Sequence, residues 1–291
     1  MESRTILYYA GTAQISDFVQ EFDGVILLTN DEGASYNLST LVSRINDFWN
    51  AQSGFQIHAE IPNPGGKKTY SYMTERLDEI EAQAGSKVRG YYLVPEGSWT
   101  MYNEKATDGT YCRDNVKQIV SDVKALNKYA LWIPVEADLS FNWMDQCQSY
   151  IGFTNVTPQP HYYKVKDNTG SKQDENCNWV TDAYRPNGMT FDQLKTFMQN
   201  CKSRGWGVES ESDNKVRSDT EGGSRENCGC QCLSGEDLKC RRRAANYYCA
   251  ADAVGGFSYV YHYFSDDIGN YVKVRDYYNS NTCPTSGYST C

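Results

Sequence analysis

The feature that most constrains this chain is a rhythm of eight short apolar runs, most of them ending in polar or acidic residues. They are TILYYAG (5–11), GVILLTND (24–31), GFQIHAEIP (54–62), VRGYYLVPE (88–96), ALWIPVEAD (130–138), GFTNVTPQPHYY (152–163), GWGVESESD (205–213) and GFSYVYHYFSDD (256–267). Runs of this length, bounded by polar residues, read as buried strands. Between most of them the apolar residues recur at helical spacing. In 38–52, Leu38, Leu41, Val42, Ile45 and Trp49 share one face, and in 70–83 so do Met73, Leu77 and Ile80. Further helices are predicted at 115–128, 142–150, 191–204 and 238–253, with a short one at 271–278, while 14–22 is too brief for a full helix.

Strands alternating with helices imply parallel βαβ units. Eight such units in 291 residues predict an α/β fold, a (β/α)8 TIM barrel. The expectation is one barrel domain over 1–291, with a long loop after strand 6 and a cysteine-rich insertion after strand 7, at about 216–249. An open doubly wound sheet is the competing architecture, but no glycine-rich phosphate loop follows the first run. There is no internal repeat.

In such barrels the reactive groups sit where strands end, and here those ends are acidic. The fourth run ends in Glu96, the fifth in Glu136 and Asp138, and the seventh in Glu209, Glu211 and Asp213; the third carries Glu60. Alternating residues of a strand point to one face, so the three acids of the seventh run are gathered together. Idle charges resist burial, whereas glycoside hydrolysis uses paired carboxyl groups. Glu96, Glu209 and Glu211 are therefore the candidate catalytic residues. Trp99, Trp132, Glu136, Gln159, His161, Tyr162 and Asp213 are candidate substrate contacts, the aromatic rings as platforms for sugars. Trp206, Tyr92 and Tyr163 lie near the same ends and could stack likewise.

Other chemistries find less support. No G-x-S-x-G elbow, H-E-x-x-H helix or P-loop is present. A net charge of -9 disfavours nucleic acid, which wants a basic face. No apolar run is long enough to span a membrane. No cofactor is expected, and no metal site.

Eleven cysteines, five of them at 228, 230, 232, 240 and 249, indicate disulfides and a secreted, extracellular setting. The N-terminus enters a strand at once and carries no apolar leader. An odd count leaves one thiol unpaired, so self-association through a cysteine is a second expectation. It belongs to an alternative reading, a non-catalytic structural or carbohydrate-binding barrel that assembles into an extracellular multimer or filament.

Four stretches carry a family resemblance. ALWIPVEAD is similar to a W-I-P-Y-Y segment, TPQPHYY to Q-P-N-Y, and GWGVESESD to G-x-G-x-E-x-E, while YYLVPE matches an aromatic strand ending in Glu. In this order they resemble domain of unknown function 4855, a family of glycosidase-like (β/α)8 barrels. The resemblance implies a barrel, a carbohydrate substrate, and Glu96, Gln159, Glu209 and Glu211 as site positions. By analogy with glycosidases of similar design, Glu96 would be the acid/base and Glu209 or Glu211 the nucleophile. The chain departs from the family at Val135-Glu136 and at His161.

Overall fold

A computed structural model describes residues 3–9, 15–28, 37–63, 67–94, 96–135, 141–160, 171–173, 179–181, 191–212, 216, 238–263 and 268–283. All eight predicted runs contain strands. In chain order the strands are β1 (Ser3–Tyr9), β2 (Gly24–Leu28), β3 (Gln56–Ile61), β4 (Gly90–Leu93), β5 (Tyr129–Trp132), β6 (Asn155–Val156), β7 (Ser171–Gln173), β8 (Trp179–Thr181), β9 (Val208–Glu211) and β10 (Tyr259–Tyr263). The helices are α1 (Ile15–Glu21), α2 (Leu38–Ala51), α3 (Tyr70–Ala84), α4 (Ser98–Asn103), α5 (Cys112–Ala125), α6 (Asn142–Ile151), α7 (Phe191–Ser203), α8 (Leu238–Ala253) and α9 (Ile268–Ser280). Among the described residues no helix is long and apolar enough to cross a membrane.

The chain divides into two compact units, one built from Ser3–Glu136 and Ser140–Pro158, the other chiefly from Gln159–Cys291. The first holds a parallel sheet in which β1 to β6 pair in sequence order, as connections through helices require. The second holds a parallel pair, β9 with β10, and an antiparallel pair, β7 with β8.

Helix starts follow capping chemistry. The Asn37 side chain accepts a 3.0 Å bond from Thr40 N at the head of α2, and Thr69 Oγ1 accepts from Tyr72 N at 3.2 Å at the head of α3. Met73, Leu77 and Ile80 of α3 are buried as their spacing predicts. In α2 the face is rotated from the expectation. Leu41, Ile45 and Phe48 are buried while Trp49 is 44% exposed, because Phe48 stacks on Phe55 at 5.6 Å and meets Phe18 edge-on.

Four further expectations are corrected. Residues 15–21 do form a helix, of two turns, with Phe18 buried. The fifth strand ends at Trp132 rather than running on to 138. Among the described residues the sixth strand is short, pairing with β5 at 155–156; Pro158 and Pro160 lack the N–H that a ladder needs. The long segment after β6, read as loop, carries the β7–β8 pair.

The second unit has a tight backbone approach at the start of β9. A Cβ on Gly207 would lie 2.5 Å from the Tyr259 ring and 2.8 Å from the Tyr259 carbonyl oxygen, so β9 can enter its pairing with β10 only through a residue without a side chain.

Cysteine use also differs from the arithmetic. Cys249 of α8 is disulfide-bonded to Cys283, beyond α9, across 34 residues. Cys112, Cys147 and Cys201 carry buried thiols, where the odd count had called for one unpaired cysteine. Each sits on an apolar helix face and packs as a small hydrophobe. Burial raises the Cys201 thiol well above its ordinary pKa, and burial together with the Glu104 carboxylate raises Cys112. Cysteines 177, 228, 230, 232 and 291 lie outside the described residues.

Candidate active site

The two faces of the first sheet are identified by side chains that leave it. The Tyr91 hydroxyl donates to Glu81 of α3, so Tyr91 and its register partners Ala59 and Ala130 face the helices. Alternation then puts His58, Glu60, Gly90 and Tyr92 on the opposite face. Gly90 confirms the assignment, since a Cβ there would lie 2.9 Å from His58 Nδ1.

Glu96 follows β4 by three residues. Its backbone is fixed because Val135 N donates to Glu96 O at 2.8 Å. Its half-buried carboxyl is fixed because the Tyr92 hydroxyl donates to Oε1 at 2.6 Å. Tyr92 is 2% exposed and cannot serve as an open sugar platform; it anchors Glu96 instead. Trp99, on the first turn of α4 and 52% exposed, keeps a free surface close by in sequence.

Trp132 does not. It is fully buried and stacks on Phe153 with centroids 4.8 Å apart. Its position beside Ala130 and Tyr91 in the ladder explains this: an even step along β5 turns it toward the helices.

In the second unit, Glu209 and Glu211 sit on one face of β9, opposite Tyr261 and Tyr263 in the register. Each carboxylate is 2% exposed. Tyr247 of α8, itself buried, donates to Glu211 Oε2 at 2.8 Å, a charge-assisted bond that offsets part of the desolvation cost. Tyr247 stands 36 residues from Glu211, so no local pattern announces it. Gln159 is 7% exposed. Glu136, His161, Tyr162 and Asp213 lie outside the described residues. Among the described residues no group of three or more His, Cys, Asp or Glu side chains could hold a metal ion.

No protein-family model matches the chain, and no curated protein sequence matches it. Its likeness is structural. It superposes on a GH18 chitinase from Pseudoalteromonas aurantia with a TM-score of 0.58 and 10% identity, over 96% of this chain and 100% of the other. A thermostable mutant of a xylanase from Cellvibrio japonicus gives 0.49 at 10% identity, over 90% and 86%. A deoxyribose phosphate aldolase from Aeropyrum pernix gives 0.49 at 12%, over 95% and 89%. Similar solved structures are TIM-barrel enzymes, and at these identities the likeness is one of fold.

Within that fold class the strand ends carry the chemistry. A half-buried carboxyl held by a tyrosine can exchange a proton with a bound oxygen. Two buried carboxylates on one strand face can supply negative charge to a developing cation.

Proposed function

We propose that the protein is an extracellular glycoside hydrolase whose strands close into a (β/α)8 barrel of the domain of unknown function 4855 type. The observation that carries this reading is Glu96, seated beyond β4 with its carboxyl held by Tyr92 and Trp99 exposed three residues on. Glu96 donates a proton to the leaving glycosidic oxygen as the bond to the anomeric carbon breaks. A second carboxylate, Glu209 or Glu211, attacks that carbon or takes a proton from the attacking water. Trp99, Gln159, Glu136, His161, Tyr162 and Asp213 contact the sugar; Trp132, being fully buried, leaves the set. The likeness of fold to a chitinase and the Cys249–Cys283 disulfide support the reading.

The test is turnover on a panel of polysaccharides and nitrophenyl oligoglycosides. Glu96→Gln and Glu209→Gln should abolish it while the melting temperature holds, and full activity in both variants would rule the assignment out.

One observation favours a second reading, a carbohydrate-binding barrel without catalysis: Glu209 and Glu211 are almost wholly buried, which suits a structural role. Glycan binding by isothermal titration, unaccompanied by cleavage, would select it. Among the described cysteines, Cys112, Cys147 and Cys201 are buried and Cys249 is paired with Cys283, so none of these supports self-association.

A further inference from the structure

The first sheet carries a carboxyl that the motifs did not single out as part of the site. Glu60, on β3, is 9% exposed and lies opposite Tyr92 in the β3–β4 register. Parallel neighbours are about 4.8 Å apart, so Glu60 flanks the ring whose hydroxyl holds Glu96.

The ends of the two strands are clamped together. Asn63, 3% exposed, donates from Nδ2 to Val94 O at 3.1 Å, and its Oδ1 accepts from Lys68 N at 2.8 Å. Glu60 and Glu96 are thereby fixed by one short stretch of framework, with a tyrosine ring as spacer.

A buried histidine shares the face. His58, two residues before Glu60 on the same face, is 3% exposed, and its Nδ1 has no hydrogen-bond partner. Nδ1 is directed at Gly90, the strand position beside it that lacks a side chain. Nδ1 is packed against the Gly90 backbone, one alternation before Tyr92, on the face that Glu60 and Tyr92 share. Burial, with Arg89 nearby, lowers the His58 pKa to about 3, so the ring is neutral and offers Glu60 no compensating charge.

We infer that Glu60 is the second carboxyl of the Glu96 site, the base that activates the attacking water. The inference rests on Glu96 as proton donor and assigns its partner to β3 in place of β9. The water oxygen bonds to the anomeric carbon as the glycosidic bond breaks. Its proton passes to Glu60, and the proton of Glu96 passes to the leaving oxygen. A pair that admits a water stands roughly 6.5–9.5 Å apart and inverts configuration.

The experiment uses the full chain and the nitrophenyl oligoglycoside it cleaves best. Glu60→Gln should lower kcat by about a hundred- to ten-thousandfold with its melting temperature unchanged. Azide should restore turnover to Glu60→Gly and give a glycosyl azide, and the wild-type product should be the inverted anomer by NMR. If Glu60→Gln keeps kcat within a few-fold while Glu96→Gln is inactive, or the product retains configuration, the inference falls and the Glu96 reading stands. If the wild type cleaves no member of the panel, both fall.

Discussion

The Tyr92 hydroxyl donates a 2.6 Å hydrogen bond to Glu96 Oε1, joining a rigid strand residue to a carboxyl four positions further on. A side-chain hydrogen bond of this kind contributes about 0.5–1.5 kcal/mol, and the position it fixes is worth more to the reaction than the bond itself. Tyr92→Phe deletes only the oxygen, so the ring still packs. The expected result is a kcat about ten- to a hundredfold lower with KM near wild type, because the donor is misplaced and the sugar contacts are intact. Steady-state kinetics on one oligoglycoside decides it, and an unchanged kcat would remove Tyr92 from the machinery.

His58 should make the fold acid-sensitive. Its pKa is about 3 in the folded chain against an ordinary 6.5, burial being the main cause and Arg89 the second. The unfolded chain therefore binds the extra proton first, and stability is complete above pH 6.5 and falls from there toward pH 3. Between pH 7 and 4.5 the loss from this group is about 2–3 kcal/mol. Urea unfolding at both pH values should show that loss in the wild type and less of it in His58→Leu. Equal losses would place the sensitivity elsewhere.

Trp99 is half exposed on the first turn of α4, where its ring can stack on a sugar. Trp99→Ala should raise KM about three- to tenfold, given roughly 0.5–1.5 kcal/mol for an aromatic stacking contact. The melting temperature should not move. A loss of stability instead would mark Trp99 as packing.

The Cys249–Cys283 bond closes 34 residues around α8 and α9. A loop of that size restricts the unfolded chain by about 3–4 kcal/mol. Replacing both cysteines with Ala should lower unfolding free energy by that order in denaturant titration, and a change below about 1 kcal/mol would show strain or residual structure cancelling the gain.

The eight parallel strands were readable because each lies in an apolar run between polar residues, and α3 because Met73, Leu77 and Ile80 recur at helical spacing. Other features were not. The helix α4 has six residues, too few for a period to register. The β7–β8 pair reads SKQ and WVT, without an apolar alternation. Trp132 was misread because a run of consecutive apolar residues does not say which of them faces the helices; the register does. Tyr92 looked like a sugar platform because its composition gives an aromatic ring at a strand end, while its hydrogen bond depends on where Glu96 turns back. Tyr247 and Glu211 meet only through packing of α8 on β9, a contact that sequence spacing cannot encode.

The close approach at Gly207 reaches beyond the single molecule. A larger residue at 207 is admissible only when position 259 gives up its ring, so the two sites cannot drift independently. Among descendants of a common ancestor they should change as a couple: glycine wherever 259 is aromatic, and a side chain at 207 only in lineages where 259 has shrunk first.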